Sequence, residues 1–523
     1  MAKQGAPRVR LPASIPAIQL VAPLALLGMV LSAPVMAEIR VVPSVSVRET
    51  YSDNPGLSPD KGEGQFITDL SPALNAVING PRVKLFANLG AHLYAYSGDR
   101  PGNTNSANLQ LSTGGKADLI QDLLYVDGAA SRSRQSISAF GQQSQNGYSD
   151  NNSDDVTTWR LSPYLVHRFG NLATGQLRYT RDSVQSGNGQ LGNSKGDSVN
   201  LDLSSGPAFS TIGWGLQAFH QSITDPVAGE SANDNAVATL RYRLKSSLSV
   251  YANTGYDRYS YEGLGGDSGG KSFAGGFTWT PSQRTSIDAS AGRRYFGKTY
   301  SLAATVRSRR TIWNATYRDE ITTARAQFLR TSSTDTAALL DASFASAFPD
   351  PVERRQAILA YIAALGLPAS VANNVNYFSN RLLLQKQFQG SVVLNGAKSA
   401  LIASLSSTRR TALSPEGVDA PLTTDQVLGG LNDNTRQVSA SLSLNYRLSP
   451  RTSATLSTSK SRNLSTTTGI RQDQTNVNFI VTRQFARKLS GNVEVRRNQG
   501  DTFDARGRGY RENAISASLN YQL

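Results

Sequence analysis

Apolar and polar residues alternate strictly over the last nine residues of the chain. From Ile515 to Leu523 every second residue is apolar, and the residues between are serine, asparagine or glutamine. The same period of two runs from Val438 to Leu448. This period predicts β-strands with one apolar and one polar face. The second segment has the length of about 9–11 residues that a tilted membrane-spanning strand needs.

The alternating segments recur along the chain and are joined by short turns. A typical turn follows an aromatic-bearing strand and contains Pro, Ser or a basic residue, as in Trp279 to Ser286 and Phe485 to Ser490. Longer stretches rich in Gly, Asn, Ser and Asp lie between these hairpins. Short and long connections that alternate are typical of the two ends of an outer-membrane barrel. The short turns are expected at 79–81, 120–122, 168–171, 206–207, 244–247, 281–284, 308–310, 395–396, 449–451 and 486–488.

About ten hairpins, a first strand near Ile39 to Arg48 and the final strand together predict an all-β fold. We expect a transmembrane antiparallel outer-membrane β-barrel of about 22 strands, within a range of roughly 18–24. A soluble β-propeller is the rival fold, and it requires blade repeats of about 40 residues with matching motifs. The repeated unit here is a hairpin, which favours the barrel.

One segment, residues 334–367, departs from the strand pattern. Asp350 is a candidate helix N-cap, followed by Pro351 at the first helical position and by Glu353 three residues after the cap. Ile358 and Leu365 belong to an apolar stripe with helical spacing. We therefore expect one inserted helix at the extracellular mouth, where it would act as a lid or plug.

Composition fits a barrel better than a helical membrane protein. Of the 523 residues 39% are hydrophobic and the mean hydropathy is −0.33, and no internal stretch approaches the ~20 apolar residues of a membrane helix. The amino terminus is basic, continues with an apolar run from Ile18 to Leu31 and ends in Val35-Met36-Ala37. This pattern predicts a signal peptide, residues 1–37, cleaved after Ala37, so the barrel would occupy residues 38–523.

The charge balance limits the partners. The formal net charge is +15 and the isoelectric point is near 9.9, which favours polyanions. For an exported protein these would be lipid headgroups or an acidic polysaccharide, and we expect no nucleic acid. The chain contains no cysteine, so it offers neither disulfides nor a thiolate metal site.

The sequence gives no pattern typical of an enzyme. It has three histidines, His92, His167 and His220, and no metal-ligand or nucleophile-elbow motif. We predict no catalytic residue, no metal and no cofactor. The alternative is a hydrolase in which His92 or His220 partners a serine on a neighbouring strand, and an interfacial location near the headgroups is favoured over it.

Several arginines lie on the polar parity of their strands, opposite the apolar residues. Charged side chains at mid-depth avoid lipid, so these arginines are expected to line the lumen. A basic excess inside a pore attracts anions. Some of the arginines could instead pair with carboxylates of the same parity, which are Asp202, Asp257, Asp288 and Glu494. The candidate pore-lining residues are Arg160, Arg178, Arg241, Arg243, Arg294, Arg447 and Arg496.

Aromatic residues divide by parity in the same way. One group shares the apolar parity near strand ends and is expected to form interfacial girdles; it comprises Tyr242, Tyr256, Trp279, Tyr295, Tyr446 and Tyr521. Tyr164, Tyr251 and Tyr259 have the lumenal parity instead. For these three a contact with sugar is the alternative hypothesis.

The chain resembles the outer-membrane barrel proteins associated with the PEP-CTERM/exosortase system, which are encoded with exopolysaccharide biosynthesis genes in Gram-negative bacteria. The terminal Leu523 departs from the usual terminal aromatic residue of outer-membrane barrels, although Tyr521 lies nearby. The resemblance implies a role in exopolysaccharide production or export and supplies no catalytic residues. It rests on Ile39 to Val45, Tyr51 to Asn54, Leu448 to Ser453 and Phe348 to Pro368.

We therefore expect an outer-membrane pore with a basic lumen that passes or contacts an anionic exopolysaccharide. The expected partners are outer-membrane lipid, the barrel-assembly machinery through the C-terminal strand, anionic exopolysaccharide and periplasmic export proteins. Two alternatives remain open. The first is a barrel that anchors surface assembly without transport, and the second is a barrel-embedded hydrolase or acyltransferase.

Overall fold

The computed structural model describes most of the chain from Glu38 onward. The described ranges are 38–59, 62–101, 104–143, 147–150, 152–187, 193–226, 229–261, 266–329, 340–341, 354–355, 357–358, 377–379, 381–414, 434–501 and 509–523. The predicted signal peptide, residues 1–37, lies outside them.

The described residues form one closed antiparallel sheet of 22 strands. Each strand pairs with its neighbours in the sequence, and β22 pairs with β1 from Ser44↔Gln522 to Ser52↔Ala514 to close the barrel. The predicted fold class and strand number are confirmed. The strands are β1 Glu38–Ser52, β2 Gln65–Asn79, β3 Val83–Tyr96, β4 Ala107–Ile120, β5 Leu124–Ser136, β6 Ser153–Phe169, β7 Ala173–Ser186, β8 Ser194–Ser205, β9 Ile212–Asp225, β10 Gly229–Lys245, β11 Leu248–Tyr261, β12 Gly266–Ser282, β13 Thr285–Arg294, β14 Gly297–Arg307, β15 Thr311–Thr322, β16 Leu383–Asn395, β17 Ser399–Ala412, β18 Asn434–Ser449, β19 Thr452–Ser465, β20 Arg471–Gln484, β21 Leu489–Asp501 and β22 Gly509–Gln522.

The two ends of the barrel differ in the length of their connections. Ten connections of two to six residues lie at the end that also holds Glu38 and Gln522, and each coincides with a predicted turn. We call this the turn end and the opposite end the loop end. Asp122 and Gly170 have positive φ angles in two of these turns. Tight turns often need this left-handed conformation, which glycine and aspartate adopt more easily than most residues. At the loop end the connections are mostly longer, although β13 and β14 are joined by two residues only.

The two faces of the barrel wall differ in the polarity of their side chains. Along β18, Leu442, Leu444 and Leu448 are exposed, whereas Ser443 and Asn445 between them are buried. A closed barrel in lipid directs its exposed apolar residues outward and its polar residues into the lumen. We call these the outer face and the lumenal face. Five of the six predicted girdle aromatics, all except Tyr295, lie exposed on the outer face.

Tyr295 corrects the prediction for this residue. It follows the last residue of β13 at the loop end, and its ring lies 5.8 Å from that of Tyr259, which occupies a lumenal position on β11. Tyr295 therefore belongs to the loop-end interior and not to an interfacial girdle. The alternation that predicted an outward direction stops where the strand stops.

One short helix, α1 Ala324–Leu329, follows β15 at the loop end. The predicted inserted helix lies further along the same connection, and most of residues 334–367 lie outside the described residues. Within the described ranges, no helix is long and apolar enough to cross a membrane.

We predict that an arginine is costly at Leu442, midway along the outer face of β18, and tolerated at the adjacent lumenal Ser441. A charge on the lipid face at mid-depth costs about 2–4 kcal/mol, whereas a lumenal charge remains hydrated. Guanidinium unfolding of Leu442→Arg and Ser441→Arg in phospholipid vesicles measures the difference. Equal losses of stability in the two variants would contradict the assignment of the faces.

Candidate functional site: the lumen and its loop-end closure

The lumenal face is lined with small polar side chains that contact one another across strands. The hydroxyls of Ser406 and Ser439 lie 2.6 Å apart between β17 and β18. Those of Ser443 and Ser457 lie 3.1 Å apart between β18 and β19. Hydroxyl groups both donate and accept, so each pair keeps capacity for water. The wall can therefore support a hydrated interior.

The structure places all seven candidate arginines on lumenal strand positions. Each occupies a position that alternates with outward residues, as Arg447 does between the exposed Tyr446 and Leu448. Their role in a pore remains a prediction, but the face they occupy is the one that the parity indicated. They are Arg160, Arg178, Arg241, Arg243, Arg294, Arg447 and Arg496.

Three of the seven are held in ion pairs. Two of their carboxylate partners, Asp257 and Glu512, have fully buried side chains. A buried carboxylate requires such a partner because desolvation of an isolated charge is costly. These arginines therefore neutralise wall carboxylates. The pairs are Arg178 with Asp127 at 2.8 Å, Arg294 with Asp257 at 2.7 Å and Arg496 with Glu512 at 3.2 Å.

The other four arginines are solvent-exposed and form no ion pair with any residue that the structure describes. Arg241 and Arg243 lie within five residues of the turn end of β10, and Arg447 lies two residues from the turn end of β18. Arg160 lies near the middle of β6. The uncompensated positive charge of the candidate set is thus concentrated in the half of the lumen nearest the turn end.

The connection between β5 and β6 folds into the barrel at the loop end. Its backbone carbonyls accept hydrogen bonds from lumenal amides of β19 and β20. Asn463 donates to Ala139 at 2.6 Å, and Gln474 donates to Gln143 at 2.8 Å. Residues 137–143 and 147–150 therefore form an inserted loop attached to a wall segment far from its own strands.

A buried polar cluster anchors the far end of this inserted loop. The Tyr148 hydroxyl donates to Glu512 at 2.7 Å, and Arg496 donates to the same hydroxyl at 2.8 Å. Burial and the adjacent Glu512 carboxylate raise the pKa of Tyr148 above its ordinary value, so the phenol stays protonated and remains a donor. This cluster joins the inserted loop to β21 and β22.

A second insertion comes from α1. Arg325 forms a buried ion pair with Asp182 on β7 and donates to Ser194 on β8 at 2.8 Å. Two residues later, Gln327 hydrogen-bonds Gln385 on β16 at 3.1 Å. A six-residue helix is only about 9 Å long, yet it contacts wall segments nine strands apart in the sheet order. The lumen is therefore narrow at this level.

Residues 377 and 378 join the two insertions. The Phe378 amide donates to the Ile137 carbonyl at 3.1 Å, and Ser136 and Tyr377 form an isolated parallel bridge. Phe378 also packs against Phe328 of α1, with ring centroids 5.6 Å apart. The apolar cluster between the insertions and the wall consists of Val156, Val184, Ala324, Phe328 and Phe378. We call the inserted loop, α1 and residues 377–379 the loop-end closure.

The loop-end closure is formed by residues other than those that the sequence predicted for a lid. Of the candidates, Asp350, Glu353 and Leu365 lie outside the described residues, so their plug role remains a prediction. Ile358 is described, helical and fully buried. Sequence reasoning treated the long connections between hairpins only as polar stretches, and it missed α1. Phe140 and Tyr148, two aromatic residues flanking a polar stretch, were the available signal.

His92 lies beside a serine and an aspartate, as the hydrolase alternative requires, but the three side chains are not arranged as a catalytic relay. Its Nδ1 lies 2.8 Å from the Ser71 hydroxyl and 3.0 Å from an Asp69 oxygen. Ser71 also donates to Asp69 at 2.6 Å. A nucleophile relay uses both ring nitrogens, one toward serine and one toward carboxylate. Here both oxygens approach one nitrogen, which forms a local polar cluster. His92 faces the lumen, so the interfacial location expected for it is wrong.

The remaining histidines and the lumenal tyrosines also have assigned contacts. His220 pairs with Asp234 at 2.6 Å on the outer face, and His167 packs edge-on against Phe169. Tyr164 lies between Tyr125, 5.1 Å away, and the guanidinium of Arg178 at 3.9 Å. Both faces of the Tyr164 ring are covered, so it offers no stacking surface to a sugar.

The closed barrel with an apolar outer face defines the protein as an outer-membrane β-barrel. No family model matches the chain, and no curated protein matches it. It is similar in structure to the FrpB iron transporter of Neisseria meningitidis in its apoprotein form, at 9% identity, covering 92% of this chain and 81% of that one with a TM-score of 0.49.

Two further solved barrels are similar. The siderophore receptor PirA of Pseudomonas aeruginosa is 11% identical, with 92% of this chain and 80% of that chain covered and a TM-score of 0.44. OmpT of Vibrio cholerae lacking loop L8 is 9% identical, with 93% and 99% covered and a TM-score of 0.32. At such identities the likeness concerns the fold alone.

We predict that Arg325→Ala loosens the loop-end closure. The change leaves Asp182 buried without its partner, a loss of about 3–5 kcal/mol for a buried pair. Hydrogen exchange of residues 324–329 should accelerate accordingly. Arg181→Ala is the matched control. Arg181 precedes Asp182 in the sequence and makes an exposed 4.0 Å ion pair with Asp197. Such a pair contributes less than about 1 kcal/mol to stability. Similar exchange in both variants would refute the anchoring role of Arg325.

Proposed function

We propose that this barrel is a gated outer-membrane conduit for an anionic exopolysaccharide. The observation that carries the proposal is the set of four exposed lumenal arginines without a described ion pair, Arg160, Arg241, Arg243 and Arg447. Paired arginines only neutralise the wall. These four exceed the two lumenal carboxylates of the candidate set that form no described ion pair, Asp202 and Asp288, and so leave a basic excess. A positive lumen lowers the barrier to anions and raises it for cations.

The position of these charges supports a direction of entry. In barrels of this type the short turns face the periplasm, so Arg241, Arg243 and Arg447 would lie just inside the periplasmic mouth. An anionic chain arriving from the periplasm would meet them first. Charges at this depth remain hydrated, and they attract a flexible polyanion without forming a tight complex that would stop movement.

The loop-end closure supplies the gate. Barrels of 22 strands are wide enough to need a plug in order to prevent leakage. Here Arg325 holds α1 to Asp182 of β7 through a buried ion pair, and the Tyr148 hydroxyl holds the inserted loop to Arg496 and Glu512 of the wall. Because each of these contacts joins a connection to a strand and none belongs to the strand pairing itself, the insertions could withdraw without breaking the barrel wall. Residues 350–365 would add to the same lid.

The cargo assignment rests on the resemblance to barrels of the PEP-CTERM/exosortase system. That resemblance implies a role in exopolysaccharide production or export, and periplasmic export proteins would then be the partners. Export across the inner membrane would use the signal peptide ending at Ala37, and the terminal strand β22 would be read by the barrel-assembly machinery. The proposal includes no catalytic step and no cofactor.

A second candidate is a barrel that anchors surface assembly without transport. The observation that favours it is that Asp182 and Arg325, which hold the closure, are both almost fully buried, so opening has a substantial cost. A deletion strain separates the two functions. Normal polysaccharide secretion with mislocalised surface proteins would support anchoring, and retained polysaccharide would support the conduit.

The conduit predicts a low-conductance closed state and an anion-selective open state in planar bilayers. Wild-type protein should conduct weakly. The double variant Arg325→Ala/Tyr148→Phe should conduct more, because both anchors of the closure are lost. Its reversal potential in a salt gradient should indicate anion selectivity. Adding Arg241→Glu and Arg243→Glu to the opened variant should shift the selectivity toward cations.

The matched control is Arg293→Glu/Lys298→Glu in the same opened background. These two residues sit opposite each other on β13 and β14 and point outward, so the net charge changes equally while the lumen is untouched. Cation selectivity of the opened variant before charge reversal, or an equal shift in the control, would refute a lumenal origin of the selectivity. No conductance after opening would favour the anchoring barrel.

A further inference from the structure

Lysine and arginine residues are concentrated along one arc of the turn end. The five successive turns between β12 and β21 all contain at least one basic residue and no acidic residue. Over the preceding arc, the four turns between β4 and β11 contain no basic residue, and one of them holds Asp122. We call the first set the basic arc. It includes Arg284, Arg309, Arg310, Lys398, Arg487 and Lys488.

The side chains of the basic arc are exposed and form no ion pair with any described residue. Arg309 and Arg310 follow each other in one turn, and Arg487 and Lys488 in another. Adjacent cations without carboxylates repel one another and remain there only at the cost of that repulsion. A ligand with negative charge would relieve the repulsion. The arc therefore has the electrostatic character of an anion-binding surface.

The position of the basic arc relative to the hydrocarbon boundary indicates which anion it meets. A large apolar residue exposed on the outer face lies two to five residues along the chain from a basic residue of each turn. These apolar neighbours define where the hydrocarbon ends, and aromatic residues at that level lie among the headgroups. The neighbours are Trp279 for Arg284, Trp313 for Arg310, Leu394 for Lys398, Leu448 for Arg451 and Phe485 for Arg487.

A basic side chain just beyond that boundary reaches the level of the lipid phosphates. One strand residue advances about 3.3 Å, and a lysine or arginine side chain adds several ångströms more, so the cations span the headgroup layer. A soluble polyanion could reach the turns only from the aqueous side, whereas the lipid phosphates lie at the level of the cations themselves.

We propose that the basic arc binds the phosphate groups of anionic phospholipids in the leaflet at the turn end. The site recognises a phosphodiester headgroup with net negative charge, and it takes several such lipids side by side along five turns. This interaction fixes the depth of one side of the barrel. On the opposite arc, the exposed turn residues Leu123, Leu172 and Phe209 are in contact with hydrocarbon and headgroups without charge pairing. The proposal is independent of what the lumen carries.

The test compares lipid retention by native mass spectrometry of the detergent-solubilised barrel. The probes are phosphatidylglycerol and phosphatidylcholine, which share a phosphodiester but differ in net charge. The variant carries Arg309→Gln, Arg310→Gln, Arg487→Gln and Lys488→Gln. The control carries Arg293→Gln, Lys298→Gln, Lys460→Gln and Arg497→Gln. These four cations point outward in the loop-end half of the barrel and form no described ion pair.

Wild type and control should retain phosphatidylglycerol in preference to phosphatidylcholine, and the arc variant should retain it on the order of tenfold or more weakly, since each basic residue near a lipid surface contributes about a fivefold affinity. Equal retention of the two lipids by wild type, or equal retention of phosphatidylglycerol by both variants, would overturn the proposal. Loss of binding to soluble polygalacturonate with unchanged lipid retention would also overturn it and assign the arc to a soluble polyanion.

A second measurement on the unmodified protein covers the case in which the variant fails to fold. Raising the salt concentration from 0.05 to 0.5 M, roughly a threefold fall in the screening length, should release phosphatidylglycerol from wild type and leave phosphatidylcholine unaffected. Salt-independent retention of phosphatidylglycerol would contradict an electrostatic site.

Discussion

Backbone hydrogen bonding in lipid is the constraint on which the rest of the structure depends. No water is available within the hydrocarbon layer to satisfy an unpaired strand edge. The pairing of β22 with β1 removes both edges at once. Once the sheet is closed, the alternation of side chains can have only one outcome, in which Leu442 and its outward neighbours meet lipid and Ser443 and its inward neighbours meet water. The lumen, its charges and its closure all follow from this division.

The lumenal charges are arranged differently at the two ends because the ends differ in hydration. Near the loop end the inserted segments exclude water, and there Asp257 and Glu512 have fully buried side chains and each has an arginine partner. Toward the turn end Arg241 and Arg243 remain exposed and form no ion pair with a described residue. The Arg178–Asp127 pair is intermediate, with both side chains partly exposed. Positive charge is thus neutralised where it would be costly to bury and left free where it is solvated.

The features predicted from the sequence are those that depend on local periodicity. The 22 strands, the ten turns and the face of each candidate arginine follow from a period of two and from turn residues such as Gly170 or Pro450. Tyr295 was assigned to the wrong environment because it lies one residue beyond the end of its strand, where the alternation no longer applies.

The closure could not be predicted in the same way because its contacts are non-local. Tyr148 and Glu512 are 364 residues apart in the sequence, and Arg325 and Asp182 are 143 apart. Nothing in the composition of residues 137–150 distinguishes a loop that folds inward from one that extends into solvent. The ion pairs of the lumen share this limitation, since parity shows that Arg178 and Asp127 face the same space but not that they meet. The structure supplies the pairing and thereby separates neutralising arginines from those that give the lumen its charge.

The most direct test of the account is thiol accessibility along β10, since the native chain has no cysteine. Single cysteines at positions 240, 241, 242 and 243 in liposome-reconstituted protein would be exposed to a water-soluble, membrane-impermeant thiol reagent. The account predicts rapid labelling at 241 and 243, which face the hydrated lumen, and protection at 240 and 242, which face lipid. Labelling of all four at similar rates, or protection of 241 and 243 alone, would contradict it.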